Sequence, residues 1–328
     1  MKPLRVGLLG CGGIGARHAA AVGVLKDEMQ LVACCGRNES KVREFAARFG
    51  AESFTDLRRM LDSQIDLLII ALPPFAHSGQ VEQAVASGTH VLVEKPIALD
   101  MTRARSMVDA AEKADVVAAC GFMYRFGAAV QRWDAAAQSG ETGRAGLFTG
   151  QFHCNALHAD WWRERAKSGG QMVEQLIHIV DLARHQLGGP QSVYARTANF
   201  FHRDVAGYDS DDVSAIVLGY ADGRIGVLNA TNGAVPGQWN KLWQIVAERM
   251  TGRFTGWNTA TLTHTVGAPR TEEIDAQTDV FVAQLADVAA AIRDKRPPSV
   301  PLSDGASTLR IVLAARQSAA EGREIALR

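Results

Sequence analysis

The 328-residue sequence predicts a two-domain α/β protein. Residues 1–120 are predicted to form a doubly wound parallel sheet, and residues 121–328 an α/β domain with a large, mostly antiparallel, open sheet. Three observations predict this division. The length is that of two domains, strand and helix patterns alternate up to about residue 120, and beyond it strands follow one another without helices between them.

Short apolar runs separated by helical patterns in the first part are typical of buried parallel strands. The predicted strands are Leu4–Leu9, Leu31–Cys35, Ile65–Ala71, His90–Val93 and Val116–Cys120, with helical patterns at Ser40–Phe49, His77–Ser87 and Thr102–Lys113. In the second part, Val213–Leu218 and Arg224–Leu228 flank a turn and predict a hairpin. Helices are predicted at Gln171–Leu187, Asp279–Lys295 and Ala306–Glu321.

Composition argues for a small-molecule partner. The 35 basic and 35 acidic residues balance and are dispersed, which disfavours nucleic acid and anionic membranes as partners. The five cysteines have no metal-ligand spacing, so no metal site is predicted, and they are expected to be reduced. No apolar run approaches the roughly 20 residues of a membrane helix, and no signal peptide is expected. A cytoplasmic location is therefore predicted.

A glycine loop directly after the first strand predicts dinucleotide binding. The segment Gly10-Cys11-Gly12-Gly13-Ile14-Gly15 has the G-x-G-x-x-G spacing between a strand and a helix. Its first glycine permits the tight turn, the second lets a pyrophosphate approach, and the third lets helix and strand pack closely. The N–H groups at the helix start would bind the pyrophosphate. Elsewhere the same spacing is often merely a turn.

The end of the second strand bears on the choice between NAD and NADP. An acidic residue there binds the ribose 2′-hydroxyl of NAD, whereas an arginine accommodates the 2′-phosphate of NADP. Here Gly36 occupies the usual acidic position, Arg37 follows it, and no carboxylate occurs before Glu39. NADP is therefore favoured over NAD, with a solvated surface role for Arg37 as the alternative.

Lys95 follows the fourth strand, where ligands of open α/β sheets bind. A lysine beside the cofactor can polarise a carbonyl or take part in proton transfer. The alternative is a surface lysine paired with its neighbour Glu94. Pro73 and His77 follow the predicted strand Ile65–Ala71 and are predicted to approach the cofactor. The alternative for His77 is that it simply caps a helix.

The helix after Gly169-Gly170 carries three ionisable residues on one face. Glu174, His178 and Asp181 are spaced i, i+4 and i+7, and nearly every other position is apolar. An imidazole with a carboxylate one turn away is suited to general acid–base catalysis. The alternative is an amphipathic helix with these groups in solvent, and a metal site is less favoured because no third ligand is evident nearby.

Aromatic and arginine side chains are predicted around the substrate. Tyr124 and Arg125 follow the domain junction, and Trp161 and Trp162 lie ahead of the ionisable helix. Aromatic faces stack on sugar rings, and arginine holds hydroxyls or carboxylates. These four residues could equally pack between the domains.

Taken together, the glycine loop, the Glu94-Lys95-Pro96 triplet and His178-x-x-Asp181 resemble the glucose–fructose oxidoreductase/inositol dehydrogenase (Gfo/Idh/MocA) family along nearly the whole chain. The resemblance implies a Rossmann domain and reversible oxidation of a sugar or cyclitol alcohol with NAD(P). It assigns contact with the reacting oxygen and with the cofactor to Lys95, and proton transfer to His178. Glu94 is also predicted to bind the cofactor. The usual family aspartate is replaced here by Glu174. Asp181 matches a second acidic position, which is predicted beside the substrate with an orienting or structural role.

The family resemblance also implies a homodimer or homotetramer formed through the C-terminal sheet. Two alternatives to a dehydrogenase remain open from the sequence. A few family members use bound NAD transiently to cleave a glycoside, and the same fold could serve a non-enzymatic nucleotide-sensing regulator. Retention of both Lys95 and His178 argues against the regulator.

Overall fold

The structure is a computed structural model that describes residues 2–155, 157, 159–268 and 270–327. It divides into two compact units. The first unit contains Met1–Met123 and Asp279–Ser307, and the second contains Tyr124–Thr278 and Thr308–Arg328. This differs from the predicted division at residue 120, because a late segment returns to the first unit.

A six-stranded parallel sheet forms the centre of the first unit, in the order β3-β2-β1-β4-β5-β6. Its strands are β1 Leu4–Leu9, β2 Met29–Cys35, β3 Glu52–Phe54, β4 Leu67–Ile70, β5 His90–Val93 and β6 Ala118–Cys120. All four residues of β4 are fully buried, as expected for a parallel sheet covered on both faces. The strand order is that of a Rossmann fold, and it confirms the predicted fold class.

Helices join these strands and pack on the sheet. They are α1 Gly13–Val24, α2 Glu39–Phe49, α3 Leu57–Asp62, α4 Gln80–Ala86, α5 Met101–Ala114 and the late helix α10 Val280–Asp294. Helix α10 packs on α1, where the ring of Phe281 lies 5.1 Å from that of His18. Its far end donates from Arg293 to the carboxylate of Glu28 at 2.7 Å. These long-range contacts are why residues 279–307 belong to the first unit.

The second unit is built on a nine-stranded sheet in the order β14-β13-β12-β11-β7-β10-β9-β8-β15. Its strands are β7 Ala145–Cys154, β8 Ser192–Ala198, β9 Val213–Gly219, β10 Ile225–Thr231, β11 Trp239–Ala247, β12 Met250–Phe254, β13 Thr259–His264, β14 Arg270–Asp275 and β15 Ile325–Ala326. Only the β7–β10 pair is parallel among the recorded pairings of this sheet. The predicted hairpin is β9–β10, and the mostly antiparallel sheet is confirmed.

The remaining helices are α6 Ala128–Gln138, α7 Asp160–Arg163, α8 Arg165–Ser168, α9 Ile177–Leu187 and α11 Leu302–Glu321, which crosses the division between the units. Helix α9 packs closely on β7, and a Cβ at Gly150 would lie 2.5 Å from Ile179. The residues that precede α9, Met172–Leu176, form a π-helical segment instead of the regular α-helix predicted over 171–187. π-Helical segments are rare in proteins overall, and those that occur often lie at functional sites.

Within the described ranges, none of the helices combines the length and the apolar character that crossing a membrane requires.

Candidate active site

The glycine loop has the geometry that its spacing predicts. Gly10 has φ +108°, and a Cβ there would lie 2.4 Å from the carbonyl oxygen of Ala71, so only glycine fits this turn. A Cβ at Gly15 would lie 2.1 Å from the carbonyl oxygen of Gly10, which brings helix and loop into direct contact. By contrast, nothing lies within 4 Å of a Cβ at Gly12 or Gly13, so this side of the loop is open.

Helix α1 begins at this open side with its N–H groups available. Gly12 is the N-cap and supplies no side-chain hydrogen bond, and the first turn contains no acidic residue. The free N–H groups and the partial positive charge of the helix end suit an anionic pyrophosphate. Ile14 is exposed beside the loop. The residues present therefore fit a dinucleotide, with Gly10, Gly12, Gly13, Ile14 and Gly15 around its pyrophosphate.

Arg37 lies just beyond the end of β2 with an exposed side chain. The next residue, Asn38, is committed to capping α2, because its side chain accepts from the N–H of Lys41 at 3.0 Å. The first carboxylate, Glu39, pairs with Arg43 at 2.5 Å. Arg37 thus presents an exposed positive charge at this strand end, while Asn38 and Glu39 already have partners on α2.

Pro73 and His77 follow β4 and flank a short 3₁₀ turn, Pro74–Ala76. His77 is buried, and burial lowers its pKa to about 4. Its imidazole is therefore neutral at pH 7 and can donate or accept one hydrogen bond through each ring nitrogen, but it does not supply a charge. In this state His77 can contact a ligand through neutral hydrogen bonds.

Glu94 and Lys95 continue β5 past the edge of the sheet. Glu94 is buried, and one of its oxygens lies 2.8 Å from Nε2 of His18 on α1. Its other oxygen accepts from the backbone N–H of Lys95 at 3.2 Å. The Glu94 carboxylate therefore has hydrogen-bond partners within the first unit. A surface pair with the Lys95 side chain is not needed to explain why it is buried.

In the second unit, His178 is fixed by aromatic rings. It lies in the first turn of α9 and is 5% exposed. The ring of Tyr124 stacks on it with a centroid distance of 4.3 Å and an interplanar angle of 16°. The ring of Phe152, on β7, lies nearly parallel at 6.5 Å. These contacts restrict the imidazole to one plane.

Glu174 lies within the π-helical segment, one turn before His178, and is 7% exposed. Its negative charge raises the pKa of two neighbouring groups. Burial raises the pKa of Tyr124 well above its usual range, and the negative charge of Glu174 raises it further. Burial also raises the pKa of the Cys154 thiol to about 12, with Glu174 adding to the increase. Glu174 therefore lies close enough to act on the electrostatics around His178.

Asp181 and Arg125 form a buried bidentate pair. Nε of Arg125 donates to Oδ2 of Asp181 at 2.7 Å, and Nη2 donates to Oδ1 at 2.5 Å. The hydroxyl of Thr308 also donates to Oδ1, at 3.0 Å. Both residues were predicted beside the substrate, and both oxygens of the Asp181 carboxylate accept hydrogen bonds from protein donors. This arrangement favours the structural role for Asp181, which is to hold α9 against the turn at Tyr124–Arg125.

Trp161 and Trp162 belong to a chain of aromatic contacts that leads back to His178. They meet edge to face at 5.7 Å, Trp162 meets Trp239 at 5.8 Å, and Trp239 meets Phe152 at 6.1 Å. Both tryptophans are half-buried. These contacts pack both rings within the second unit, and part of each ring is exposed.

Several residues of this region were missed by the sequence analysis: Phe152, Cys154, Trp239, Lys241 and Trp257. Nζ of Lys241 lies over the rings of Phe152, Trp239 and Trp257, 5.3–5.7 Å from their centroids. Strands β7 and β11 bring these side chains together, with Lys241 opposite Phe152 and Trp239 opposite Cys154. The alternation along each strand was visible in the sequence, but the pairing of β7 with β11 was not.

The first unit thus has the construction of a dinucleotide-binding domain, and the second unit carries a buried carboxylate and imidazole of the kind that exchange protons with an alcohol. A chain with both belongs to the class of nucleotide-dependent oxidoreductases. Across the described part of the chain, no group of three or more His, Cys, Asp or Glu side chains is arranged to hold a metal ion.

Comparison with protein families identifies the chain more closely. Residues 4–122 match the oxidoreductase family with an NAD-binding Rossmann fold, and residues 130–252 match the GFO/IDH/MocA C-terminal domain. The chain belongs to the Gfo/Idh/MocA family and is an oxidoreductase, which confirms the resemblance noted from the sequence.

Its relatives include dehydrogenases of known activity. Myo-inositol 2-dehydrogenase of Thermotoga maritima is 25% identical over 99% of this chain and 98% of its own. Glucose-6-phosphate 3-dehydrogenase of Bacillus subtilis is 32% identical, over 54% of this chain and 52% of its own. Among solved structures, levoglucosan dehydrogenase in complex with NADH and L-sorbose has a TM-score of 0.93 at 21% identity, covering 100% of both chains. The last of these is a likeness of fold.

Proposed function

We propose that the chain oxidises a secondary alcohol of a sugar, cyclitol or related polyol, or reduces the corresponding ketone, with NADP favoured over NAD. The observation that carries this proposal is the buried pair of ionisable groups in the second unit, Glu174 on a π-helical segment and His178 held flat against Tyr124. The names of its relatives, which act on inositol and on sugars, support the substrate class.

The nicotinamide ring, when bound, supplies the acceptor or donor of the hydride. In the oxidation, His178 takes the hydroxyl proton, and in the reduction it returns that proton. Lys95 stabilises charge on the reacting oxygen as the proton leaves. Glu174 supports the imidazolium form of His178, with one more methylene than the aspartate usual in the family. Trp161 and Trp162 present ring surface to the substrate. Tyr124, whose buried ring stacks on both His178 and Trp257, orients the imidazole, and Arg125 and Asp181 hold the helix that carries His178.

A substrate screen tests this function. The purified chain is mixed with NADP⁺ and a panel of sugars, cyclitols and sugar derivatives, and both the melting temperature and the ultraviolet absorbance of NADPH are followed. At least one compound should raise the melting temperature, because a ligand of the folded state stabilises it, and should also be oxidised. Cleavage of a glycoside without net NADPH would instead identify a glycosidase. Nucleotide binding without turnover on any compound would contradict the proposal.

The preference for NADP rests on Arg37. Replacing Arg37 with alanine should weaken NADPH binding by about tenfold or more, since a hydrogen bond to a charged group contributes ~1.5 kcal/mol or more. NADH, which lacks the 2′-phosphate, should bind almost as before. Fluorescence titration with each nucleotide measures both dissociation constants. Arg48→Ala, at the exposed end of α2, is the matched control. Tighter binding of NADH than NADPH by the unchanged protein would overturn the assignment.

We also propose that the chain forms a homodimer or homotetramer through the outer face of its nine-stranded sheet. Val227 and Val217 face each other across β10 and β9, Tyr194 continues the row on β8, and all three are exposed. Ile225 lies opposite Leu147 in the adjoining row. A contiguous apolar face of this kind is typical of a protein interface. The five cysteines, all among the described residues, form no disulfide with one another, which supports the further proposal of a cytoplasmic location.

Val227→Arg should break this association, because it buries an unpaired charge at the centre of the proposed interface. Light scattering after gel filtration should then show a particle of half the mass or less. Val24→Arg replaces an exposed valine of the first unit and should leave the mass unchanged. A monomeric unchanged protein at micromolar concentration would refute the interface.

A further inference from the structure

A fully buried histidine on the first helix is joined to the carboxylate that precedes Lys95. His18 lies on α1, three residues after the last glycine of the loop, and is 0% exposed. Its Nε2 atom lies 2.8 Å from Oε1 of Glu94, and its ring meets the ring of Phe281 edge to face at 5.1 Å. The histidine is therefore held in place by α10 on one side and by Glu94 on another.

Glu94 is enclosed as tightly as its partner. Its backbone N–H donates to the carbonyl of Ile70 at 2.9 Å, in the ladder of the sheet. Its Oε2 atom accepts from the N–H of Lys95 at 3.2 Å. Gly121 packs against it so closely that a Cβ there would lie 2.8 Å from Oε2. The carboxylate thus lies between the imidazole of His18, the N–H of Lys95 and the backbone of Gly121.

Stability alone does not account for this pair. A buried carboxylate is costly unless it is paired, and two apolar side chains of similar volume would often stabilise the fold equally well. The pair also fixes the position of two segments relative to each other, although its residues are 76 positions apart in the chain. One is the helix that begins at the glycine loop, and the other is the strand end that continues into Lys95.

We propose that His18 is a positioning residue, which holds Glu94, and through it the backbone of Lys95, in a fixed place relative to the glycine loop. This inference rests on the proposed function, in which Lys95 stabilises charge on the reacting oxygen. A displacement of ~1 Å can lower turnover ~100-fold when the geometry of the reacting groups is affected. Loss of the pair should therefore reduce turnover while the glycine loop still binds the nucleotide.

The test compares two substitutions of His18. His18→Leu removes the contact with Glu94 at similar volume, and kcat should fall about 10- to 100-fold. His18→Gln keeps an N–H donor that reaches Glu94, and kcat should recover most of that loss. The dissociation constant of NADPH, measured by nicotinamide fluorescence, should change by less than about threefold in both variants, because binding and turnover are separate free energies. If His18→Leu does not fold, His18→Asn, whose amide is too short to reach Glu94, replaces it.

A histidine on β5, the strand that leads to Glu94, provides the control. His90 lies at the opposite end of β5, and its Nδ1 accepts from the N–H of Val117 at 2.9 Å. His90→Leu should lower the melting temperature, since it removes a part-buried hydrogen bond, but should leave kcat unchanged. An equal loss of kcat in His90→Leu and His18→Leu would mean that general loosening of the sheet is the cause, and it would overturn the positioning role.

A double substitution shows whether His18 acts through Lys95. In a Lys95→Ala background, His18→Leu should lower kcat no further, because residues that act as a unit have non-additive effects. A further drop by the same factor would overturn the positioning role alone. The proposed function is tested separately by Lys95→Ala itself, and full turnover in that single variant would remove the function assigned to the lysine whatever His18 does.

Discussion

Replacing Lys95 with alanine is expected to lower kcat by about 100-fold or more and to leave the dissociation constant of NADPH nearly unchanged. The reason is the position of the side chain. Lys95 is half-buried at the end of β5, whereas the pyrophosphate would be held by the loop between β1 and α1, which alanine at position 95 does not touch. Steady-state rates at saturating substrate and cofactor measure the first effect, and fluorescence titration measures the second.

Two comparisons make this result specific. Lys113→Ala removes an exposed lysine from the last turn of α5 in the same unit, and it should leave both constants unchanged. Lys95→Arg keeps the charge but replaces a compact ammonium with a planar group, and it should restore only part of the rate. Unchanged turnover in Lys95→Ala would show that the lysine is a surface residue and would refute its catalytic role.

The sequence predicted the first unit well because its signals are local. The glycine loop, the strand ends and the helix starts are each contained in a few consecutive residues, and short right-handed connections then determine a parallel order. The role of His18 was not accessible in this way. Its partner Glu94 lies 76 residues further along, and only the folded sheet brings the two side chains together.

In the second unit, local patterns predicted which residues matter but not their surroundings. His178 and Asp181 meet consecutive residues, Tyr124 and Arg125, as an i, i+3 spacing on a helix allows. Glu174, however, lies on a π-helical segment, and a pattern of apolar positions cannot distinguish that segment from a regular α-helix. The aromatic side chains around Lys241 come together through the pairing of β7 with β11. Along the chain these two strands are separated by the helices α7, α8 and α9 and the strands β8, β9 and β10.

The last prediction concerns His178, the proposed general base. His178→Asn is expected to lower kcat by about 10²- to 10⁴-fold, the usual contribution of a general acid–base. Because His178 is 5% exposed and its ring is stacked on Tyr124, bulk water cannot easily replace it as a proton acceptor. The dissociation constant of NADPH should change little, because the glycine loop and Arg37, which are proposed to hold the nucleotide, are unaltered.

The dependence of the rate on pH separates this role from a loss of structure. A base works in its deprotonated form, so the rate of alcohol oxidation by the unchanged protein should rise with pH until His178 is neutral, and this rise should disappear in His178→Asn. His185→Asn, two turns further along α9 and paired with Asp134 at 2.8 Å, should keep the full profile. If the rise persisted in His178→Asn, the proton would have to leave through another group, and Glu174, whose charge already reaches Tyr124 and Cys154, would become the residue to replace next.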